Sequence, residues 1–498
     1  MLGWLFRKSI LTDFAVLIVL TFVGLGVHGY HLGLEDEAVY LPAIKSLLDR
    51  SLFPHDSMFF LPQMKFTLYN EIIAFVVRLS HLRIEAVIFA AYLVSVFLVL
   101  AGCLRLSRKL FAGPAAQWAS VTLIAALMTM PVTGTALLLV DQYLHPRSFA
   151  TAFILFALVE VLDRRLARAA CWLLFAAVIS PLMALQGVSF AALLAWRGGG
   201  KGLQAKLGAF LAAVPVAQSG APIWDQVTCS YYYLLQWKWY ELLGVVAPLV
   251  ILWAFSRMEG GLPSFRLVSR RISIFGLVFA AISLAMSMPL LERFLGLQPM
   301  RSFHLVYLVL MLCCGGLVGE KILKNKPLRW MIFFLPFCIG MFAVQRYQFS
   351  SSDHIEWPGM EPRNQWVQAF NWVRENTPKD VFFALDPYFM ETSGAEFHGF
   401  RALAERSMMP DLVKDPVVVS VLFAANKLTS DQSVDLSGIS TKWYEQATAL
   451  RGWKNFGLED FRRLKERFGV TWVVLEKPGI TGLSCPYENA AVMVCHID

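Results

Sequence analysis

Along most of this chain the apolar residues run together, without the alternation of a soluble amphipathic helix. Runs with no Asp, Glu, Lys or Arg cover 14–34, 86–104, 110–140, 148–159, 169–196, 207–224, 242–256, 272–291, 302–319 and 330–345. A helix needs roughly 20 residues to cross a hydrocarbon layer about 30 Å thick. Most of these runs meet that length. Ser180-Pro181 interrupts 169–196, and a proline both lacks its N–H and clashes with the preceding turn. That run therefore reads as a hairpin of two short helices, which brings the expected crossings to eleven.

The pattern changes after about residue 345. Gln365–Asn376 places Trp366, Phe370 and Val373 on one helical stripe, Thr377-Pro378-Lys379-Asp380 makes a turn, and Val381–Leu385 reads as a strand. Phe461–Phe468 with Thr471–Leu475 repeats the helix-to-strand order, and Ala491–His496 closes with another strand. The reading is a transmembrane portion over 1–345 and a C-terminal α/β domain over 346–498. A long first loop, 28–85, separates the first two apolar runs. Within it Tyr40, Ala43, Ile44, Leu47 and Leu48 follow a helical period and predict an amphipathic helix on the membrane surface.

Composition narrows the class. Of 498 residues, 57% are hydrophobic and 16% charged, whereas soluble domains are about a quarter charged. A secreted, cytosolic or disordered protein is excluded. The net charge of +8 is informative through its distribution. With eleven crossings, one face collects Arg7/Lys8, Arg105/Arg108/Lys109, Arg164/Arg165/Arg168, Arg197/Lys201/Lys206, Arg257/Arg266/Arg270/Arg271 and Lys321/Lys324/Lys326/Arg329. The short loops opposite hold Arg147, Lys238, Arg293 and Arg301. This is the positive-inside bias, so the surplus marks a cytoplasmic face and not a nucleic-acid footprint. The run after Arg7-Lys8 is longer than a signal-peptide core and no Ala-x-Ala site follows it, which reads as an uncleaved first helix. The N-terminus is then cytoplasmic, and the first loop and the tail are exoplasmic. Five cysteines lie in or beside apolar runs, Cys229 in a loop, and Cys485 and Cys495 ten residues apart in the tail. In an oxidising compartment that last spacing permits a disulfide.

Three consecutive acids, Glu35-Asp36-Glu37, stand at the start of the amphipathic helix. Capping explains one or two of them, because carboxylates satisfy free N–H groups and suit the helix dipole. Three acids beside lipid repel one another, and ionisable groups at a membrane border are functional candidates. Spacing alone leaves both readings open.

Asp36-Glu37-Ala38-Val39-Tyr40, placed after the first helix and before a surface helix, resembles the glycosyltransferase-C superfamily. Its members include the lipid A aminoarabinose transferases and the protein O-mannosyltransferases. Leu52-Phe53-Pro54-His55-Asp56 fits the same loop less specifically. The resemblance covers most of the chain in architecture but only short patches in residues. It implies a polyprenyl-phosphate-linked sugar as donor, an acidic residue of the first exoplasmic loop as catalytic base and, by single displacement, inversion at the anomeric carbon. Asp36 matches the family's first acidic position and stands ahead of Glu37, with Glu35 and Tyr40 as neighbouring substrate contacts. Asp141-Gln142-Tyr143-Leu144-His145-Pro146-Arg147 occupies the second exoplasmic loop, where the family commonly has another acid. The resemblance gives Asp141 a part in orienting acceptor or base, and His145 and Arg147 contacts with the lipid phosphate. The ordinary alternative is a helix start with an interfacial arginine.

Arg301 and Arg293 are scarce exoplasmic cations, read as phosphate contacts or as interfacial anchors. Trp372 to Asp380 and Phe400 to Ser407 are similar to the tails of uncharacterised bacterial members. There Arg401 and Arg406 either hold an anionic acceptor or form a surface pair neutralised by Glu405. His28, His31, His55, His145 and His304 fall on the exoplasmic side and read mainly as interfacial or hydrogen-bonded histidines. The Asp-x-Asp metal motif of oligosaccharyl transferases is absent from the first loop, so no residue is assigned to a metal, and divalent-metal dependence stays open. The expected setting is a bacterial inner membrane, with a glycan, lipid or protein acceptor and no nucleic acid. A transporter or flippase of lipid-linked saccharide and a catalytically silent assembly subunit are the competing readings. A transporter more often carries charges or broken helices at mid-membrane.

Overall fold

The computed structural model describes residues 10–61, 67–196, 231, 233–259, 261–287, 291, 297–391, 397–415, 436–479 and 482–498. They fall into two compact units. The first draws on Met1–Gly29, Ala90–Ala221 and Cys229–Val344, the second on Tyr30–Phe89 and Gln345–Asp498.

The chain is a helical, multi-pass membrane-associated protein. Among the described residues five helices are long and apolar enough to cross a membrane: Ile10–His28 (α1), Ile84–Leu110, Pro263–Met286, Pro299–Leu323 and Pro327–Gln348. Leu166–Ile179, Pro181–Ala195 and Trp239–Phe255 are shorter apolar helices. The break at Ser180-Pro181 falls where the ring forces it, with Pro181 as the first residue of its helix. The run 110–140 departs from the expected crossing. It forms a short helix, Pro114–Ala126, followed by an antiparallel pair, β1 (Pro131–Val132) and β2 (Leu137–Leu138). Pro131 cannot continue a helix, and the turn between the strands passes through Gly134 at φ +55°. A Cβ there would lie 2.4 Å from the Trp237 ring. The run 207–224 and Arg293 lie outside the described residues. In the first unit, Gly315 and Gly319 let helix Phe303–Val318 and its extension approach Pro114–Ala126 closely. A Cβ on Gly315 would sit 2.8 Å from the Ala119 carbonyl oxygen, a small-residue interface of the kind that replaces hydrophobic drive inside lipid. Ser120 adds a hydrogen bond from Oγ to the Leu312 carbonyl at 2.7 Å.

In the second unit the first loop folds with the tail and does not stand apart. Its helices are α2 (Glu37–Leu48) and α3 (Tyr69–Ser80). α3 buries Tyr69, Ile73 and Ala74, while Ile72, Phe75, Val76 and Leu79 are exposed. An apolar outer stripe suits a helix lying in a membrane interface. The tail builds a sheet from β3 (Phe382–Ala384), β4 (Ser407–Met408), β5 (Trp472–Glu476), β6 (Ser484–Glu488) and β7 (Val492–His496), in the order β4-β3-β5-β7-β6. β3 pairs in parallel with β4 and β5, and β7 is antiparallel to β5 and β6. Phe382, Ala384, Val473, Leu475, Phe461 and Leu464 form its core. The predicted helix Gln365–Asn376 has the expected bounds. Asn364 starts it, its side-chain oxygen accepting from the N–H groups of Trp366 at 2.9 Å and Val367 at 3.2 Å. Cys485 and Cys495 are joined as a disulfide between β6 and β7. Two bridges tie loop to tail, Tyr30 with Ile355 and Leu34 with His398.

Candidate functional site

The three acids separate into different environments. Gly33 and Glu35 both adopt positive φ, +74° and +50°, and this tight turn brings Glu37 back over its own backbone. Glu37 is 1% exposed, and its Oε2 accepts the Gly33 N–H at 2.6 Å. Its carboxylate thus serves the start of α2. Asp36 occupies the position before the helix, yet its side chain makes no capping bond. Glu35 and Asp36 instead keep 39% and 36% of their side chains exposed and share Lys414. The Lys414 ammonium bonds Glu35 Oε2 and lies 3.4 Å from Asp36 Oδ1. The Asp411 carboxylate fixes the backbone at Lys414, accepting from the N–H groups of Val413 at 2.9 Å and Lys414 at 2.5 Å. Tyr40 packs edge-on to Tyr69, with ring centroids 5.6 Å apart.

The tail meets this turn through its backbone. Gly399 N–H donates to the Gly33 carbonyl at 2.9 Å, and Glu35 N–H to the Phe397 carbonyl at 3.2 Å. A small cavity beside it is lined by Ala38, Val39, Phe60, Arg401, Lys414 and Asp415, among others. Arg401 is buried. Its guanidinium donates to Asp56 and to both oxygens of Asp415, at 2.9 and 3.0 Å, with Asp411 3.9 Å away. Burial works against the Arg401 charge, but Asp415 and Asp56 outweigh it and hold the guanidinium protonated. Burial pushes the Asp415 carboxyl up to about 7, Arg401 opposing and Asp411 adding to the rise. The two shifts pull opposite ways within one ion pair. The excess of acid reconciles them, because three carboxylates surround one cation and one of the three holds a proton most readily.

The surface pair expected of Arg401 and Arg406 is corrected here. Both are buried, and Glu405 reaches neither side chain as a salt-bridge partner. Glu405 bonds Lys45 at 2.7 Å, while burial pulls the Lys45 amine down. Arg406 braces the end of helix Gln365–Asn376, donating to the carbonyls of Arg374 at 2.7 Å and Thr377 at 2.5 Å. Burial lowers its guanidinium pKa.

The remaining expected site residues belong to the first unit. Asp141 and Arg147 form a buried pair, one guanidinium nitrogen lying 2.8 Å from each carboxylate oxygen. The Arg147 charge is therefore matched inside its own unit. His145 precedes helix Pro146–Leu162, and its Nδ1 accepts the Arg147 N–H at 2.9 Å. Arg301 sits in the turn Pro299–Ser302 at the head of the span Pro299–Leu323. Asp36 and Asp141 thus lie in different units, each with its own cationic partner.

Most of the histidines are held by hydrogen bonds. His28 pairs with Thr129 at 2.8 Å, His304 with the Leu139 carbonyl at 2.9 Å, and His55 with the Asp380 carbonyl at 2.7 Å. His31 differs. With His398 it converges on Glu356 Oε1, at 3.2 and 2.9 Å. The residues missed in the sequence are Lys414, Glu356, His398 and Asp415. Asp411-x-x-Lys414-Asp415 was a visible charge cluster, but nothing local ties it to residues 35 and 36.

No protein-family model matches the chain, and no curated protein matches it.

Proposed function

We propose that this chain is an integral membrane glycosyltransferase, moving a sugar from a polyprenyl-phosphate donor to an acceptor hydroxyl on the exoplasmic face. The observation that carries the reading is the partly exposed Asp36 carboxylate, paired with Lys414, next to an acid already committed to the backbone. Asp36 takes the proton of the acceptor hydroxyl as that oxygen attacks the anomeric carbon. The bond from that carbon to the phosphate oxygen breaks, and the lipid phosphate departs with the electron pair. General-base help of this kind contributes about a hundredfold to ten-thousandfold. Lys414 is a cation beside the base and opposes the developing phosphate charge. Asp141 and Arg147, a self-neutralised pair, take a structural part in the first unit.

A multi-pass topology with the Lys/Arg clusters cytoplasmic and the second unit exoplasmic completes the reading. The charge asymmetry supports it, as do the apolar outer face of α3 and the tail disulfide, since disulfides persist in oxidising compartments. The chemistry of the resemblance supports the donor class and a bacterial inner membrane.

The test uses the full chain in proteoliposomes with a panel of polyprenyl-phosphate-linked sugars. Release of free polyprenyl phosphate by the wild type and its loss in Asp36→Asn are expected. Full release by Asp36→Asn, or movement of intact donor across the bilayer without release, overturns the assignment.

A further inference from the structure

His31, Glu356 and His398 come from three separate segments of the second unit. Their ligand-type atoms, two imidazole nitrogens and a carboxylate oxygen, all lie within 4.8 Å of one another. Both histidine side chains are 1% exposed and the glutamate side chain 11%. The second carboxylate oxygen, Oε2, accepts the Leu32 N–H at 2.9 Å, which fixes the plane of the group. The Phe349 ring backs His31, with centroids 4.4 Å apart. These outer contacts orient the donors as partners around metal ligands do.

Glu356 is the buried acid, and among the described residues it forms ion pairs with these two histidines and with no Lys or Arg. A buried carboxylate is costly without a compensating cation. Nδ1 is the His31 ring nitrogen that faces Glu356.

The geometry points to a divalent transition-metal site, held by His31, Glu356 and His398, that clamps the acidic turn of the first loop to the tail. Two imidazoles and one carboxylate suit Zn2+, which binds nitrogen at about 2.0–2.1 Å and carboxylate oxygen at about 2.0–2.2 Å. Ca2+ and Mg2+ prefer all-oxygen sets. Tetrahedral bonds of that length place donors about 3.3–3.5 Å apart. The separations of 3.2 and 2.9 Å need only a few tenths of an ångström of spreading. The position also assigns the role. His31 and Leu32 lie between the two bridges, Tyr30 to Ile355 and Leu34 to His398, and Glu35 follows directly. An ion here would fix the turn that presents Glu35 and Asp36, whatever reaction those acids serve.

The experiment measures metal on the intact, full-length chain in detergent. Expected are about one Zn2+ per chain by elemental analysis, a lower melting temperature after stripping with dipicolinate, and recovery on adding Zn2+ but not Mg2+. The stripped wild type, given Co2+, should show the visible absorption of a low-coordinate nitrogen/oxygen site. That measurement needs no variant to fold. The His31→Ala/His398→Ala double variant should lose the bound metal. Absence of Zn2+ uptake by the stripped wild type overturns the proposal. Undiminished stoichiometry in the double variant overturns it equally, since the ion would then sit elsewhere.

Discussion

The Glu37 carboxylate accepts the backbone N–H of Gly33 at 2.6 Å, four residues back along the chain. This single bond divides the labour among the adjacent acids, because a buried carboxylate facing its own backbone is not placed to meet an acceptor. Glu37→Ala should lower the unfolding free energy by about 1–3 kcal/mol, the cost of leaving a buried donor unmatched. Glu37→Gln keeps an acceptor and should cost less. Asp36→Asn is near-isosteric and half-exposed, so its stability should stay within about 0.5 kcal/mol of wild type, while transfer falls about a hundredfold or more. Thermal unfolding and donor turnover measured on the same preparations separate the two roles. A stability loss confined to Asp36→Asn would reverse them.

Gly399 sits where no side chain fits. A Cβ there would approach Ala38 Cβ to 2.4 Å and Ala38 Cα to 2.9 Å. Gly399→Ala should destabilise by about 1–3 kcal/mol through overpacking and loosen the contact with Gly33. Ala38→Gly in the same chain should recover part of the loss. A double-mutant cycle on melting temperature reads that coupling, and strict additivity would refute the contact.

The Arg401 cluster predicts a pH dependence. Burial raises the Asp415 carboxyl from 3.8 to about 7. An acid with a raised folded pKa holds its proton more tightly when folded, so the folded state binds more protons than the unfolded one across this interval. Its contribution to stability is therefore present below about pH 4 and declines as pH rises toward 7. Asp415→Asn should flatten that slope in melting temperature against pH. Arg401→Ala leaves Asp56, Asp411 and Asp415 facing one another and should cost about 3–5 kcal/mol.

The bond between Cys485 and Cys495 closes a short loop. Its removal in Cys485→Ser/Cys495→Ser should cost about 2–3 kcal/mol. Dithiothreitol should lower the wild-type melting temperature and leave the double variant unchanged. Thiol alkylation in intact cells tests the compartment: full reduction of both cysteines would count against an exoplasmic tail.

Local pattern determined much of this protein. Apolar runs marked the five long apolar helices, Ser180-Pro181 marked a break because a proline is accommodated at the first position of a helix and not in its interior, and Trp366, Phe370 and Val373 gave a helix with its observed bounds. These features depend on neighbours three or four residues away, which is what periodicity records. The site did not yield to the same reading. Glu405, beside Arg406 in sequence, adopts φ +56° and its carboxylate bonds Lys45, while Arg401 turns to Asp56 and Asp415. Lys414 lies 378 residues from Asp36, and Glu356 lies 325 from His31. Sequence alone placed three acids at the start of a helix. Only the packing of loop against tail decided which acid faces its own backbone, which faces a lysine, and which histidines meet a glutamate, because such meetings follow from long-range burial that no local spacing encodes.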